Sequence, residues 1–358
     1  MARYIIKKYP IQEVAPSMIV GNSILCDNGR FVLNDGIRLT LGMIEQLKKW
    51  GVEFIDIREK APPKQIEVDG PLRACEKKFY KRYNATLEFF KKSFEAVRYL
   101  KMVPVNEMRT LAEQALKGLV DVAGAVNFLL MVRHKDDYTF HHCINVAIFS
   151  GILGRWLGYN GVELQELILA GLLHDIGKAQ IPLEILNKQG KLLSEEMEIM
   201  KKHSLLGYAL LKNADEIPLS VRLGVLQHHE RMDGSGYPFN LPQEKIHPYA
   251  KIIAVADIYD AMTSDRVYRR RTTPFTVAEM VMANMFDQLD PVVCTTFLNN
   301  VRDYFVGNVI RLSDGRMAEV VFLSKISYGR PVVRTEEGEF IDLEQHKEIS
   351  IVEMVKIS

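Results

Sequence analysis

The spacing of apolar residues changes twice along the chain, and each change marks a change of architecture. Over residues 3–57, short apolar runs alternate with polar positions (YIIKKYPI, MIVGNSILC, RFVLNDG), then give way to the helix-like LTLGMIEQLKKW and a last strand-like VEFIDI. Residues 1–60 are therefore expected to form a small α+β N-terminal module. The stretch REKAPPKQIEVDGP, rich in proline and charge, reads as a linker over residues 61–72. Across residues 73–306 the apolar positions recur every three or four residues, as in LEFFKKSFEAVRYL, MRTLAEQALKGLVDVAGAVNFLLMV and LQELILAGLLHDIG, which predicts a helical domain. Pro104, Gly158, Gly177, Gly190 and Pro218 divide it into many helices of moderate length. Beyond Gly307 the period returns towards two: NVIRL, RMAEVVFL, RPVVRT, EFIDL and ISIVEMV, with turns at SDG and EEG, predict a small β C-terminal module over residues 307–358. The expected fold class is mainly α, with small β-containing modules at both ends.

Composition narrows what such a chain can do. With 47% hydrophobic and 25% charged residues in 358, it has the balance of an ordinary globular protein of two or three domains. A net charge of +1 leaves no surplus of cations for a DNA or RNA polymer. One local exception is RVYRRR, where Arg266, Arg269, Arg270 and Arg271 stand together. The cysteines Cys26, Cys75, Cys143 and Cys294 are scattered without a C-x-x-C pair, which suits a reducing compartment without disulfides. MARYIIKKYP has charges where a signal peptide has its apolar core, and NVAIFSGILGRWLGY is interrupted by Arg155 before it could span a bilayer. A cytoplasmic protein with no membrane span is the expectation.

The candidate chemistry lies in the helical region. LLHDIGK ends an apolar helical run with His174 and Asp175 and places Lys178 within the next turn. An isolated His-Asp pair means little, but His141, His142, His203, His228, His229 and Asp257 lie on the same set of apolar-patterned helices. Buried imidazoles are costly unless they are hydrogen-bonded or coordinated, so this clustering points to a metal site. Only one of two adjacent helical residues can face a core, which makes His141 the expected bystander beside His142. His228 and His229 could both converge if the helix stops at them, and the glycines of DGSGYP provide for that stop.

HDIGK, HHERMDGSGYP and VADIYDAMTSDR, with INVAIFSGILG, IPLEILNKQGKL and KKHSLLGYALL between them, strongly resemble the HD-GYP family of bacterial phosphodiesterases from about Tyr138 to Phe297. The resemblance implies an HD-type helical bundle holding two divalent metal ions. By it, His142, His174, Asp175 and Asp257 would hold one ion, and Asp175 would bridge to a second held by His203, His228 and His229. Mixed imidazole and carboxylate ligands favour iron or manganese over structural zinc. A cation pair neutralises phosphate charge and stabilises the oxygens of an in-line displacement. The implied substrate is cyclic di-GMP, opened to pGpG and then cut to GMP. Lys178 would reach a phosphate, Tyr237 would lie beside the substrate, and Arg266 and Arg269 would meet its phosphates or guanine edges. Some members carry a glutamate four residues before the position of His142, where it helps bind a third metal. Here Tyr138 stands there, so no third metal is expected and the second cut is in doubt.

Two rival readings are open on the sequence. One is a cyclic di-GMP sensor or scaffold, against which the filled ligand positions count. The other is a hydrolase of another cyclic dinucleotide such as cyclic GMP-AMP. The resemblance is also compatible with docking of GGDEF-domain synthases and with a homodimer.

Overall fold

The computed structural model describes residues 4–25, 31–60, 71–122, 124–132, 138–212, 214, 216–264, 272–285, 287–324 and 328–356. The chain divides into two compact units, one of Met1–Asp69 with Glu336–Gly338 and one of Gly70–Thr335 with Glu339–Ser358.

The first unit contains β1 (Tyr4–Pro10), β2 (Ile19–Val20), β3 (Ile24–Leu25), β4 (Phe31–Leu33), α1 (Leu41–Lys49) and β5 (Phe54–Lys60). β5 is central in an antiparallel sheet ordered β1-β5-β2, and β3 pairs with β4 as a separate hairpin. Thr40 caps α1 by accepting from the Met43 N–H. Ile44 and Leu47 then project into a core with Val20, Leu39, Ile55 and Ile57.

The second unit is helical first and then β. Its helices are α2 (Pro71–Leu100), α3 (Val105–Thr110), α4 (Lys117–Val120), α5 (Ala125–Met131), α6 (Tyr138–Trp156), α7 (Gly161–Leu173), α8 (Leu183–Leu186), α9 (Ser194–Lys201), α10 (His203–Lys212), α11 (Leu219–Gln227), α12 (Pro248–Thr263), α13 (Pro274–Asn284) and α14 (Pro291–Val301). Every residue of α6 from His142 to Gly154 is buried, the mark of a central helix, and α6 packs against both α7 and α12. The last three helices each start at a proline, whose missing N–H would be unpaired there in any case. His247, Thr273 and Asp290 accept hydrogen bonds from the first turns.

β6 (Val309–Leu312), β7 (Met317–Phe322), β8 (Val332–Thr335), β9 (Phe340–Asp342) and β10 (Ile351–Lys356) form an antiparallel sheet ordered β10-β6-β7-β8-β9. Its inward residues, among them Ile310, Leu312, Val320 and Val333, belong to the same buried cluster as the helices. Alternation in the sequence reports that one face of a strand is buried, not what covers it. The chain is thus mainly α with small sheets towards either end, as the change of period predicts. Among the described residues no single helix is long and apolar enough to cross a membrane. Cys75, Cys143 and Cys294 are free thiols, and Cys26 lies outside the described residues.

Candidate metal centre

Helix ends build most of this site. A helix leaves its last carbonyls without intrahelical partners. His174, just after α7, donates from Nδ1–H to the Gly171 carbonyl at 2.7 Å. His203, at the junction of α9 and α10, does the same to Met200 at 2.8 Å, and His228, just after α11, to Val225 at 2.7 Å. Each ring thus satisfies an orphan carbonyl three residues back. A carbonyl can only accept, so each ring carries a proton on Nδ1, and Nε2 is the nitrogen whose lone pair the neutral ring offers.

Those lone pairs converge. One donor atom from each of Asp175, His203, His228 and His229 lies within 4.8 Å of the others, and the same holds for a second set, His142, His174 and Asp257. Asp175 joins the sets: its Oδ1 is 3.3 Å from His203 Nε2, and its Oδ2 is 3.2 Å from His174 Nε2 and 3.8 Å from His142 Nε2. His203 Nε2 and His228 Nε2 face each other at 3.3 Å, with both ring protons committed to carbonyls on the far side. His174 Nε2 and Asp175 Oδ1 are buried without a hydrogen-bond partner. Lone pairs pressed together in a dry core repel one another and need a cation among them, so the donor set fits a metal site and not a closed polar core. Among the described residues no thiolate takes part, which favours metals that accept imidazole and carboxylate.

Protonation follows the same logic. Burial lowers the His203 pKa to about 4, with the Lys178 cation adding to the effect and Asp175 opposing it. Burial, then the neighbouring rings, holds His228 well below the ordinary range, and burial does the same to His229. His142 goes the other way. Burial pushes it down, but hydrogen bonds to Asp257 and Asp260 outweigh this and raise it to about 9. Burial pushes the Asp175 carboxyl up, yet Lys178 and His174 hold it well below the usual carboxylate range. The Lys178 ammonium lies 2.5 Å from Asp175 Oδ2, with 22% of its side chain exposed, so it stands between the donor cluster and solvent.

The stretch from His228 to Pro238 forms one wall. α11 ends at Gln227, His228 keeps right-handed helical dihedrals as its C-cap (φ −63°, ψ −15°), and at this helix end the rings of His228 and His229 both reach the donor cluster, 4.1 Å apart between centroids. The chain then folds back until the Tyr237 N–H donates to the His229 carbonyl at 3.2 Å. Only glycine fits inside this turn: a Cβ on Gly236 would lie 2.4 Å from the Arg231 nitrogen and 2.5 Å from the His229 oxygen. Buried Glu230 clamps the far side, accepting from the Phe239 N–H at 2.8 Å and the Leu241 N–H at 3.0 Å. Tyr237 consequently stacks on His229 at 4.6 Å, with Lys201 over its ring at 5.8 Å. The Tyr237–Pro238 peptide is cis.

Of the residues singled out in the sequence, His142, His174, Asp175, His203, His228, His229 and Asp257 come together, with Lys178 and Tyr237 at their edge. His141 faces away, its Nδ1 3.0 Å from the Tyr83 hydroxyl. Tyr138 stacks on His142 with its hydroxyl 3.5 Å from Nδ1. Arg266, Arg269, Arg270 and Arg271 lie outside the described residues. The sequence reading passed over Asp260, whose Oδ2 lies 2.7 Å from His142 Nδ1, and Glu230. Asp260 had a signal: it follows Asp257 by three residues in an apolar helix, the spacing that puts both on one face.

Residues 132–293 match the HD domain family. The cyclic di-GMP phosphodiesterase PA4108 of Pseudomonas aeruginosa is 35% identical over 230 residues, 64% of this chain and 55% of that protein. A cyclic di-GMP phosphodiesterase of Thermotoga maritima is 40% identical over 141 residues, 39% of this chain and 38% of its own. The 3'3'-cGAMP-specific phosphodiesterase 1 of Vibrio cholerae is 36% identical over 178 residues, 49% of this chain and 41% of its own. The chain thus spans about half or less of the length of these curated relatives. Among solved structures, Bd1817, an HDG"Y"P protein from Bdellovibrio bacteriovorus, covers 83% of this chain and 100% of its own at a TM-score of 0.53 and 16% identity, a likeness of fold. The match to the HD domain family spans the residues that carry the donor cluster, from His142 to Asp257.

Proposed function

We propose that the protein is a metal-dependent phosphodiesterase that hydrolyses cyclic di-GMP to pGpG. The observation that carries this reading is the close apposition of imidazole and carboxylate donors across Asp175, including the 3.3 Å approach of His203 Nε2 to His228 Nε2. His142, His174 and Asp257 would hold one divalent ion and His203, His228 and His229 a second, with Asp175 shared. Iron or manganese suits this donor set. Bound there, a cation pair supplies neutralisation of phosphate charge and activation of the attacking water.

The chain's own groups do the rest. Lys178, held against Asp175 and partly exposed, offers a cation to a phosphate oxygen entering from solvent. Tyr237 presents a rigid ring at the mouth against which a base can lie, its hydroxyl kept neutral because burial raises its pKa. Arg266 and Arg269 are assigned to the substrate's phosphates or guanine edges on sequence grounds. Tyr138 places a phenol where a third ion would need a carboxylate, so the second cut, pGpG to GMP, is expected to be weak. The N-terminal unit is assigned a role in interaction or sensing.

Relatives named for cyclic di-GMP support the substrate, and the cGAMP-specific relatives make cyclic GMP-AMP the alternative. The test is purification without oxygen, metal analysis, and chromatography of each dinucleotide incubated with the protein and Fe(II) or Mn(II). The expected result is about two metals per chain and pGpG from cyclic di-GMP. Faster cleavage of cyclic GMP-AMP would move the substrate assignment to that nucleotide. Binding without cleavage by metal-loaded, reduced protein would replace the enzyme reading with a sensor.

A further inference from the structure

His142 is held differently from the helix-end histidines, and what holds it leads away from the site. Its Nδ1 lies 2.7 Å from Asp260 Oδ2, and the other oxygen, Oδ1, receives Asn145 Nδ2 at 2.7 Å and the Ser264 hydroxyl at 3.2 Å. The Tyr83 hydroxyl is 2.7 Å from Asn145 Oδ1 and 3.0 Å from His141 Nδ1. Tyr83, His142, Asn145 and Asp260 are all buried.

The chemistry of the groups fixes the direction of each bond. A carboxylate only accepts, so Asn145 must turn its NH2 to Asp260 and its oxygen to Tyr83. Tyr83 then spends its proton on Asn145 and can only accept from His141. His142 must likewise donate from Nδ1–H; its Nε2 lies 3.0 Å from Asp257 Oδ1, another acceptor, so in the metal-free ring Nε2 also carries a proton, and that proton is the one a metal displaces. The Tyr138 hydroxyl, at 3.5 Å, is too distant to compete.

We infer that Tyr83, Asn145 and Asp260 are positioning residues that set the tautomer and direction of His142, so that the hydroxyl Tyr83 presents from α2 bears on one of the two metals and not the other. The inference rests on the metal reading of the preceding section. α2 is the helix that follows the linker after the N-terminal unit, and Tyr83 is its contact with this relay. Outer-shell partners of this kind typically change metal affinity by about 10–100-fold.

Asp260→Asn is the sharpest probe. With Asn145 and Ser264 still donating to one side, the new amide must put its oxygen there and its NH2 towards His142. The ring then has to accept at Nδ1 and carry its proton on Nε2, the atom needed for metal. Tyr83→Phe is the milder variant, removing only the hydroxyl that orients Asn145. Two readouts are used: histidine 15N chemical shifts of the metal-free protein, and anaerobic Mn(II) titration followed by electron paramagnetic resonance. The expected results are loss of the His142 Nδ1 proton in Asp260→Asn, leaving one proton on Nε2 where the wild-type ring carries two, with one of two Mn(II) ions weakened about 10–100-fold and the other unchanged. Tyr83→Phe should weaken the same ion several-fold. A retained Nδ1 proton with both ions bound as tightly as before would overturn the inference, as would equal weakening of both. Wild-type protein that binds no metal would sink the metal reading instead, while the nitrogen shifts would still decide the relay.

Discussion

The two halves of the donor cluster are held by different kinds of structure. His203 and His228, like His174, are fixed by carbonyls of their own helix ends, three residues away. His142 is fixed by Asp260, 118 residues away, through a side chain that is itself held by two others. A local restraint survives as long as its helix does, whereas a tertiary one depends on how three helices sit together. Within one site, then, His142 can be tuned from a distance, while His174 in its own set and His203 and His228 in the other are held locally.

Asp175 is common to both halves, so its loss should erase the distinction. Asp175→Asn keeps the shape of the side chain but removes the shared charge that faces His174, His203 and Lys178. Cleavage of cyclic di-GMP is expected to fall by well over the ~100-fold typical of an outer-shell change, with both metals weakened. Chromatographic rates and metal analysis of the variant check this. Retained turnover in a metal-loaded variant would remove Asp175 from the shared position.

The helix-end half should be the more sensitive to backbone crowding. Gly177 packs so closely on α10 that a Cβ there would lie 1.8 Å from the His203 carbonyl oxygen and 2.5 Å from the Gly207 nitrogen. Backbone atoms cannot swing aside, so Gly177→Ala must push α10 and His203 away from Asp175. The expected cost is about 1–3 kcal/mol or more, seen as a lower melting temperature. The ion assigned to His203, His228 and His229 should be the one lost.

Those two sets of residues were not equally legible in the sequence. His174, Asp175, His203, His228 and His229 stand in motifs with glycine, because the helix ends that orient them need close approach or a sharp turn, and such needs leave a mark in sequence. Gly177 and Gly236 are such marks. The relay leaves none: Tyr83, Asn145 and Asp260 are single polar residues in apolar helices, and only the packing of α2, α6 and α12 brings them together. The strands at the end of the chain show the same limit. Their alternation is plain, yet that they close over the helical core is a tertiary fact.

Protons offer a finer separation of the halves. With His142 raised to about 9, a metal binding there must displace a proton throughout the neutral range. His203, lowered to about 4, offers a free lone pair down to acid pH. Asp257 and Asp175 are held well below the usual carboxylate range and stay charged across this window. Affinity at the His142 half should therefore drop as pH falls, by about tenfold per unit and so about 100-fold from pH 8 to pH 6, while the His203 half stays nearly level. Equilibrium dialysis at limiting Mn(II) should pass from about two ions per chain towards one. Equal loss of both ions would mean that Asp257 and Asp260 do not distinguish His142 in this way.

The smallest effect is expected where neither half is touched. Glu230 clamps the turn that carries Tyr237, and its two oxygens accept one backbone N–H each, from Phe239 and Leu241. Glu230→Gln retains one acceptor and turns an NH2 towards the other N–H, at a cost of about 1–3 kcal/mol for a buried donor left unpaired. The melting temperature should drop by a few degrees. Because His229 lies just before the clamp but His228 is fixed by the Val225 carbonyl, metal content should hold while the ring of Tyr237 loses its fixed place against His229. KM for the dinucleotide is then expected to rise several-fold with kcat little changed, the pattern of a lost contact that substrate and transition state use alike. A fall in kcat with KM unchanged would mean that the turn acts through the metals instead, and the wall formed from His228 to Pro238 would have to be counted with the donors.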